Sequence, residues 1–209
     1  MNTIQMVDLT TQYQRLKEKL DEAVRKVLES GCYVKGPQVT DFEDQLARYL
    51  GVGYVISCAN GTDALTAALM SLDLKPGDEV ITSAFSFIAP AEAIAFLRLK
   101  PVFADIDLRT FNIDPLSVRE KITPKTRAII PVHLFGQACN MEEIMAIARE
   151  HNLFVIEDNA QSLGSTQNNG ARTGTSGHIG CTSFFPSKNL GCMGDGGAIF
   201  TNDTALAAR

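Results

Sequence analysis

The chain has 209 residues, of which 45% are hydrophobic and 21% are charged, and its net charge is −5. This composition is ordinary for a soluble globular protein that is large enough to bury a full core. The acidic charge and the lack of a basic run argue against a nucleic-acid partner, and no apolar stretch reaches the roughly 18 residues of a membrane-spanning helix.

The predicted elements alternate along the chain. Leucine or valine at every fourth position predicts a first helix over residues 11–30, which Gly31 is expected to end. Pro37 is expected to begin a second helix over residues 37–50. Short apolar runs predict strands at 54–58, 79–84, 101–107, 127–134, 153–158, 181–185 and 196–201. Further helices are predicted between residues 61 and 74 and at 88–98, 115–121 and 141–150, the last capped by Asn140.

Apolar strands that alternate with helices predict an α/β fold, a three-layer αβα arrangement with a mostly parallel central sheet. Ligands of such sheets bind at the carboxyl ends of the strands. We expect an N-terminal helical segment at residues 1–35 and one large domain at residues 36–209. The chain ends in the first turn of a helix that Asn202 or Asp203 would cap, so we expect a fragment of a longer protein.

The five cysteines are odd in number, scattered and without a CxxC pair. They predict reduced thiols in a cytoplasmic protein rather than disulfides or a zinc site. Asp105 and Asp107 could suggest another metal, but Arg109 follows them and no third ligand is placed, so no metal is predicted. His133 lies at the end of a predicted apolar strand, where a lone histidine is more often a hydrogen-bonding residue than a catalytic base.

One lysine stands out because it lies in a mostly uncharged apolar stretch. Lys188 is followed closely by Gly191, Gly194, Gly196 and Gly197. An ammonium group in such a place costs solvation unless it is exposed or chemically used. The glycines indicate a sharp turn or the close approach of something bulky. We interpret Lys188 as the residue that holds a cofactor covalently.

Four features would complete such a cofactor site. Asp158 ends an apolar strand, where its carboxylate could pair with a ring nitrogen, and loop solvation or capping is the alternative. Gly61 and Thr62 could bind a phosphate with helix amides and a hydroxyl, and plain capping is the alternative. Phe87 could stack on a planar ring or pack in the core. Ser183 could reach the same phosphate or be an ordinary strand hydroxyl.

The pattern as a whole is a phosphate turn, an aromatic residue, an aspartate at a strand end and, thirty positions later, a lysine in a glycine-rich loop. It resembles the fold-type I pyridoxal-phosphate enzymes. More narrowly, the chain resembles the DegT/DnrJ/EryC1/StrS family of sugar aminotransferases over essentially its whole length. The segments that carry the resemblance are VDLTTQY (7–13), GPQVTDFEDQLARYLG (36–51), NGTDAL (60–65), PVFADID (101–107), IIPVHLFGQ (129–137), IEDNAQSLG (156–164) and TSFFPSKNLGCMGDGGAIFT (182–201).

The resemblance implies a role for each candidate residue. Lys188 would hold pyridoxal 5'-phosphate covalently and later move a proton between the cofactor carbon and the substrate carbon. Asp158 would pair with the pyridine nitrogen. Gln161 would sit against the ring and its phenolic oxygen, and Phe87 would stack on the opposite ring face. The phosphate would be held by Gly61, Thr62 and Ser183.

The resemblance also implies an aspartate-aminotransferase-like large domain without the small C-terminal domain of complete relatives. The implied reaction moves an amino group from glutamate to a nucleotide-linked keto-sugar. The best match is a UDP-2-acetamido-3-oxo-hexuronate of surface-polysaccharide synthesis, such as that of lipopolysaccharide. Relatives are homodimers whose phosphate site borrows a partner asparagine from a region absent here, so the 209 residues alone are not expected to turn over.

Two other readings of the resemblance stay open. The first is a related pyridoxal-phosphate dehydratase or lyase. Some such relatives carry histidine in place of the lysine, so Lys188 favours transamination. The second is a truncated, non-catalytic relative that binds the cofactor or only dimerises. Other family members act on 3- or 4-keto-6-deoxy sugars linked to dTDP, UDP or GDP.

Overall fold

A computed structural model describes residues 6–209, so the first five residues of the predicted 1–35 segment lie outside the described part. The helices are α1 (Leu9–Ser30), α2 (Pro37–Leu50), α3 (Gly61–Met70), α4 (Ala89–Phe96), α5 (Pro115–Lys121), α6 (Met141–His151) and α7 (Thr204–Ala207). The strands are β1 (Tyr54–Cys58), β2 (Glu79–Ser83), β3 (Lys100–Ala104), β4 (Thr126–Ile130), β5 (Phe154–Asp158), β6 (Ile179–Ser183) and β7 (Gly197–Thr201). A 3-10 turn, Leu134–Gly136, follows β4.

All seven strands form one sheet in the order β1-β7-β6-β5-β4-β2-β3. Strand β7 runs antiparallel to both of its neighbours, whereas every strand pair from β6 to β3 is parallel. The predicted mostly parallel sheet is therefore confirmed. Because the strands from β6 to β3 point the same way, their carboxyl ends share one edge of the sheet, where a ligand would bind.

Helices cover both faces of the sheet because side chains alternate between the faces along each strand. Val80 and Ile130 pack against α3 and α4, whereas Ile81 and Ile129 pack against α5 and α6. All four side chains are fully buried, and each contributes about 1.5–3 kcal/mol of hydrophobic stabilisation. A third apolar cluster joins α2 to β7 and comprises Leu46, Leu50, Leu163, Phe184, Ala198 and Phe200. The three-layer αβα architecture is confirmed.

Most helix ends lie where the capping residues predict them. Gly31 ends α1 in the left-handed conformation (φ 65°), and Pro37 is the first residue of α2. The side chains of Asn140 and Asp203 each accept a backbone N–H of the turn that follows, which fixes the starts of α6 and α7. These four predictions are confirmed.

Four strands end earlier than the sequence predicted: β2 and β6 by one and two residues, and β3 and β4 by three and four. Strand β3 ends at Ala104 rather than at residue 107, because the N–H of Asp105, the next residue, donates to the Ser117 side chain (2.9 Å) instead of to a neighbouring strand. Strand β4 ends at Ile130 rather than at residue 134, because Pro131 has no N–H to continue the ladder. His133 therefore lies in the connection after β4, not in the strand.

Gly180 on β6 has no room for a side chain. A Cβ at this position would overlap the Phe200 ring and the carbonyl oxygen of Gly174. We expect Gly180→Ala to lower the free energy of unfolding by about 1–3 kcal/mol, measured by urea denaturation. Gly53→Ala is the matched control, because its new Cβ would lie 3.7 Å from the nearest atom. Equal losses of stability in the two variants would contradict this prediction.

Candidate functional site

A cavity of about 620 Å³ opens at the carboxyl ends of β5 and β6, beside the N-terminus of α3. All the residues that the sequence predicted for a cofactor site line this cavity. They are Gly61, Thr62, Phe87, Asp158, Gln161, Ser183 and Lys188. A wider groove of about 950 Å³, which runs past Phe135 and Asn168, contains none of them. The fold thus brings the predicted residues together, while the role of each stays a prediction.

The N-terminus of α3 offers two backbone amides to an anion. The Asn60 side chain accepts the Asp63 N–H (2.8 Å), so helix capping uses that donor. Within residues 6–209, no acceptor meets the amides of Gly61 and Thr62. Free amides at the positive end of a helix dipole favour a phosphate group. Capping and phosphate binding are compatible at this turn because they use different amides.

Gly61 allows α3 to approach β6 closely. A Cβ at Gly61 would lie 2.7 Å from Ser183 Cβ, which is closer than two non-bonded carbon atoms can be. The Ser183 hydroxyl accepts the Phe185 N–H (3.2 Å) and keeps its own proton to donate. The free amides of α3 and this hydroxyl can therefore meet one phosphate group between the helix and the strand.

Asp158 ends β5 with a carboxylate that is only 6% exposed. Its Oδ1 accepts the Ala160 N–H (3.0 Å), and no donor in the described part of the chain meets Oδ2. Burial raises the pKa of Asp158 above its ordinary value, and the Ala160 N–H and the Lys188 charge offset only part of that shift. A cationic group in the cavity, such as a protonated ring nitrogen, would stabilise the ionised carboxylate.

Gln161 is held by the backbone of an unusual turn. Its Oε1 accepts the Phe135 N–H (2.9 Å). Phe135 has φ 56° and ψ 23°, a left-handed conformation that few residues other than glycine adopt. Among the described residues, nothing accepts from the amide NH₂ of Gln161, so both of its donors are available to an oxygen atom of a ligand in the cavity.

Phe87 and Lys188 reach the cavity from two loops. Phe87 is 67% exposed, so the alternative of core packing is wrong for this ring. Lys188 is half-buried, and its backbone N–H donates to the Phe185 carbonyl (2.8 Å) in the turn after β6. No carboxylate of residues 6–209 lies within ion-pair distance of its Nζ. The Lys188 amine is therefore not held by a salt bridge and is available to a ligand in the cavity.

Sequence reasoning missed three carboxylates that line the same cavity, those of Asp63, Glu92 and Asp195. Asp63 directly follows Thr62 in the first turn of α3, so the helix pattern contained that signal. Glu92 on α4 and Asp195 in the glycine-rich loop carry no comparable signal. Together with Asp158, these three make four carboxylates against one lysine among the lining residues, so the lining of the cavity is acidic.

The other polar candidates lie away from the cavity. His133 has both ring nitrogens hydrogen-bonded in the core, so its interpretation as a hydrogen-bonding residue is confirmed. Across residues 6–209, no group of three or more His, Cys, Asp or Glu side chains could hold a metal ion. None of the helices described is both long enough and apolar enough to span a bilayer.

Comparison with known proteins identifies the class that this fold and cavity define. The chain belongs to the DegT/DnrJ/EryC1/StrS aminotransferase family, whose model matches residues 14–209. A relative named UDP-2-acetamido-2-deoxy-3-oxo-D-glucuronate aminotransferase, from Pseudomonas aeruginosa, is 52% identical over 98% of this chain and 56% of its own length. The family and the fold that the sequence predicted are confirmed.

Solved structures show the same similarity. A DegT DnrJ EryC1 StrS aminotransferase from Brucella abortus matches with a TM-score of 0.92 and 44% identity, over 99% of this chain and 57% of that one. A more distant match is the E. coli GDP-4-keto-6-deoxy-D-mannose-3-dehydratase with bound hydrated PLP. Its TM-score is 0.84 and its identity 34%, over 89% of this chain and 49% of that one. The chain spans about half the length of the curated relatives it matches.

Removing the charge of Asp158 should stabilise the cofactor-free chain. The folded pKa of this carboxyl lies above its unfolded value, so the folded state holds the proton more tightly and stability falls as pH rises above about 4. We expect Asp158→Asn to raise the free energy of unfolding at pH 7 by about 1–3 kcal/mol and to change nothing at about pH 3, measured by urea denaturation.

Asp44→Asn is the control for this experiment, because Asp44 is exposed on α2. It should leave stability within about 0.5 kcal/mol at both pH values. A loss of stability in Asp158→Asn at pH 7 would show that the buried carboxylate is already compensated within the chain.

Proposed function

We propose that this chain is the cofactor-binding part of a pyridoxal 5'-phosphate-dependent aminotransferase that acts on a nucleotide-linked keto-sugar. The observation that carries the proposal is the single cavity that joins Lys188, Asp158 and the free amides of α3. Residues 36–209 would form the large cofactor-binding domain, and residues 1–35 would form a separate helical segment.

Each part of the cavity suits one part of the cofactor. The free amides of α3 and the Ser183 hydroxyl would hold the phosphate. Asp158 would keep the ring nitrogen protonated, since a buried carboxylate is stabilised by a cation. Gln161 would donate to the phenolic oxygen, and Phe87 would stack on the ring. When bound, pyridoxal phosphate supplies an electron sink for negative charge that develops on a substrate carbon.

Lys188 would both hold the cofactor and move the proton. Its amine must be neutral to attack a carbonyl or to accept a proton. The proton would pass from the substrate carbon to Nζ and then back to a neighbouring carbon, so the same side chain acts first as base and then as acid.

The amino acceptor in this proposal is a UDP-2-acetamido-3-oxo-hexuronate of surface-polysaccharide synthesis, including lipopolysaccharide, and the donor is glutamate. Its support is the 52% identity to the Pseudomonas aeruginosa relative, which is named for such a substrate. The five free thiols suit a cytoplasmic location. Both substrates are anions, so cations from outside the described cavity wall would be needed to bind them.

The two alternatives have less support. The E. coli dehydratase is 34% identical to this chain, against 52% for the aminotransferase, and Lys188 stands where the resemblance places a histidine in some dehydratases. A non-catalytic relative that only dimerises would not need a cavity in which a lysine, a buried carboxylate and free helix amides converge, whereas one that binds the cofactor is distinguished by its lack of turnover.

Helix α1 supports a homodimer as part of the proposal. None of its 22 residues is buried, and Leu16, Val24 and Leu28 are 44%, 48% and 60% exposed. An isolated helix of this length is marginal in water and gains most of its stability by packing an apolar face. A second copy of the chain would cover this face and could bring cations to the acidic cavity.

Lys188 should be the residue that the cofactor labels. Incubation with pyridoxal phosphate should give a near-visible absorbance band. Reduction with borohydride should bleach the band and leave the added mass on the peptide that contains Lys188. Lys188→Ala should lose both signals, and so should Lys188→Arg, which keeps the charge but not the nucleophilic amine. Full labelling of Lys188→Ala would contradict the assignment.

The class of reaction, transamination or elimination, is tested in the full-length protein to which this chain belongs. Incubation with glutamate and a keto-nucleotide-sugar should release 2-oxoglutarate, at a rate at least about 100-fold lower in Lys188→Ala. Turnover of the sugar without 2-oxoglutarate would indicate a lyase or dehydratase. Cofactor binding with no turnover of any substrate would indicate the non-catalytic relative.

The dimer is tested on the apolar face of α1. Val24→Asp should raise the dimer dissociation constant by at least about tenfold in analytical ultracentrifugation, because a desolvated charge would lie in the interface. Glu18→Ala, an exposed charge on the same helix, should leave the constant unchanged. An unmodified protein that stays monomeric at micromolar concentration would defeat this part of the proposal.

A further inference from the structure

His133 and Glu157 form a buried pair that the proposed reaction does not use. Both side chains are fully buried, and His133 Nε2 lies 2.7 Å from Glu157 Oε2. The Cys139 N–H donates to His133 Nδ1 (3.0 Å), so Nδ1 carries no proton and Nε2 donates to the carboxylate. The imidazole thus links the chain after β4 to strand β5.

The Glu157 carboxylate is satisfied on every side. Besides the donor from His133, its oxygens accept the N–H groups of Gly174 (2.9 Å), Ser176 (2.7 Å) and Gly177. A buried carboxylate is tolerated only with compensation of this kind. The pair therefore ties three segments together: the turn after β4, the end of β5 and the loop that leads to β6.

The turn after β4 is also hydrogen-bonded to two residues that line the cavity, Asp158 and Gln161. The His133 N–H donates to the Asp158 carbonyl (3.0 Å), and the Asp158 N–H donates to the Pro131 carbonyl (2.9 Å). Two residues further on, the left-handed Phe135 donates to Gln161 Oε1 (2.9 Å). Both predicted ring-facing side chains, those of Asp158 and Gln161, therefore depend on where this turn lies.

We infer that His133 and Glu157 are positioning residues that fix Asp158 and Gln161 in the orientation that faces the cofactor. Neither the His133 nor the Glu157 side chain lines the cavity, so the pair acts through the backbone of the segments that it joins. The left-handed conformation of Phe135 costs free energy and persists only where its surroundings hold it. His133, whose ring is hydrogen-bonded on both sides, keeps the turn in the position that this conformation of Phe135 requires. The consequence for the cofactor rests on the proposed function, whereas the backbone linkage does not.

Two variants separate the two hydrogen bonds of His133. His133→Asn keeps an acceptor for the Cys139 N–H but cannot reach Glu157. His133→Gln keeps a donor for Glu157 but loses the contact with Cys139. In the cofactor-free chain, each variant should speed hydrogen exchange of the Phe135 and Ala160 amides about tenfold, as expected for one lost hydrogen bond. The dissociation constant of pyridoxal phosphate should rise by a similar factor, with the absorbance band retained.

Ile147→Val is the matched control, because Ile147 is a buried core residue on α6 that lies outside the cavity. Exchange at Phe135 and Ala160 should not respond to this loss of a methylene. Unchanged exchange in both His133 variants, or an equal change in Ile147→Val, would overturn the inference.

A measurement on the unmodified protein keeps the inference testable if the variants fail to fold. Nitrogen-15 NMR should show a protonated Nε2 and an unprotonated Nδ1 in His133 at neutral pH, and a doubly protonated ring would overturn the inference. If the unmodified chain binds no cofactor, the proposed function fails, but the hydrogen-exchange result still decides whether the pair positions Asp158 and Gln161.

Discussion

Two adjacent carboxylates are buried at the end of β5, and negative charge that is removed from water has to be compensated. Glu157 receives four hydrogen bonds, from His133 and from the loop before β6. Asp158, the next residue, receives one. The two side chains point to opposite faces of the strand, so the donors of one cannot serve the other. Because of this inequality, only the second carboxylate still needs a positive partner, which is the basis of the cofactor role proposed for it.

The opposite side of the cavity depends on how closely main chains approach each other. Gly61 and Gly197 lie where α3 meets the antiparallel pair β6–β7, and a Cβ at Gly197 would overlap the Asn60 carbonyl oxygen. Because neither glycine carries a side chain, the free amides of α3 come close to Ser183 and to the loop that carries Lys188. The start of α3 and the strands β6 and β7 are therefore fixed relative to each other by close backbone contacts, which side-chain motion cannot loosen.

Local signals predicted much of this arrangement. Periodicity predicted the α/β class and capping residues predicted most helix ends. Residue chemistry indicated six of the seven candidate residues of the cavity, and the family resemblance added Gln161. Contacts between distant segments escaped prediction. One local signal was also missed, since Pro131 ends β4 at Ile130 although the apolar run continues. His133 and Glu157 are 24 positions apart and meet only because of the strand order. The local sequence VIED does not show that the Glu157 side chain points into the core, where four hydrogen-bond donors meet it, while the Asp158 side chain points into the cavity.

The strand order also affects how the chain can fold during synthesis. Strand β1 pairs only with β7, and the Gly53 N–H beside it donates to the Asn202 side chain, 149 positions away. A nascent chain must therefore expose β1 without its partner until almost all of the described residues have left the ribosome. Such distant pairing slows folding and leaves an unpaired edge open to aggregation in the meantime. The edge formed by β1 is thus the part of the sheet that is completed last.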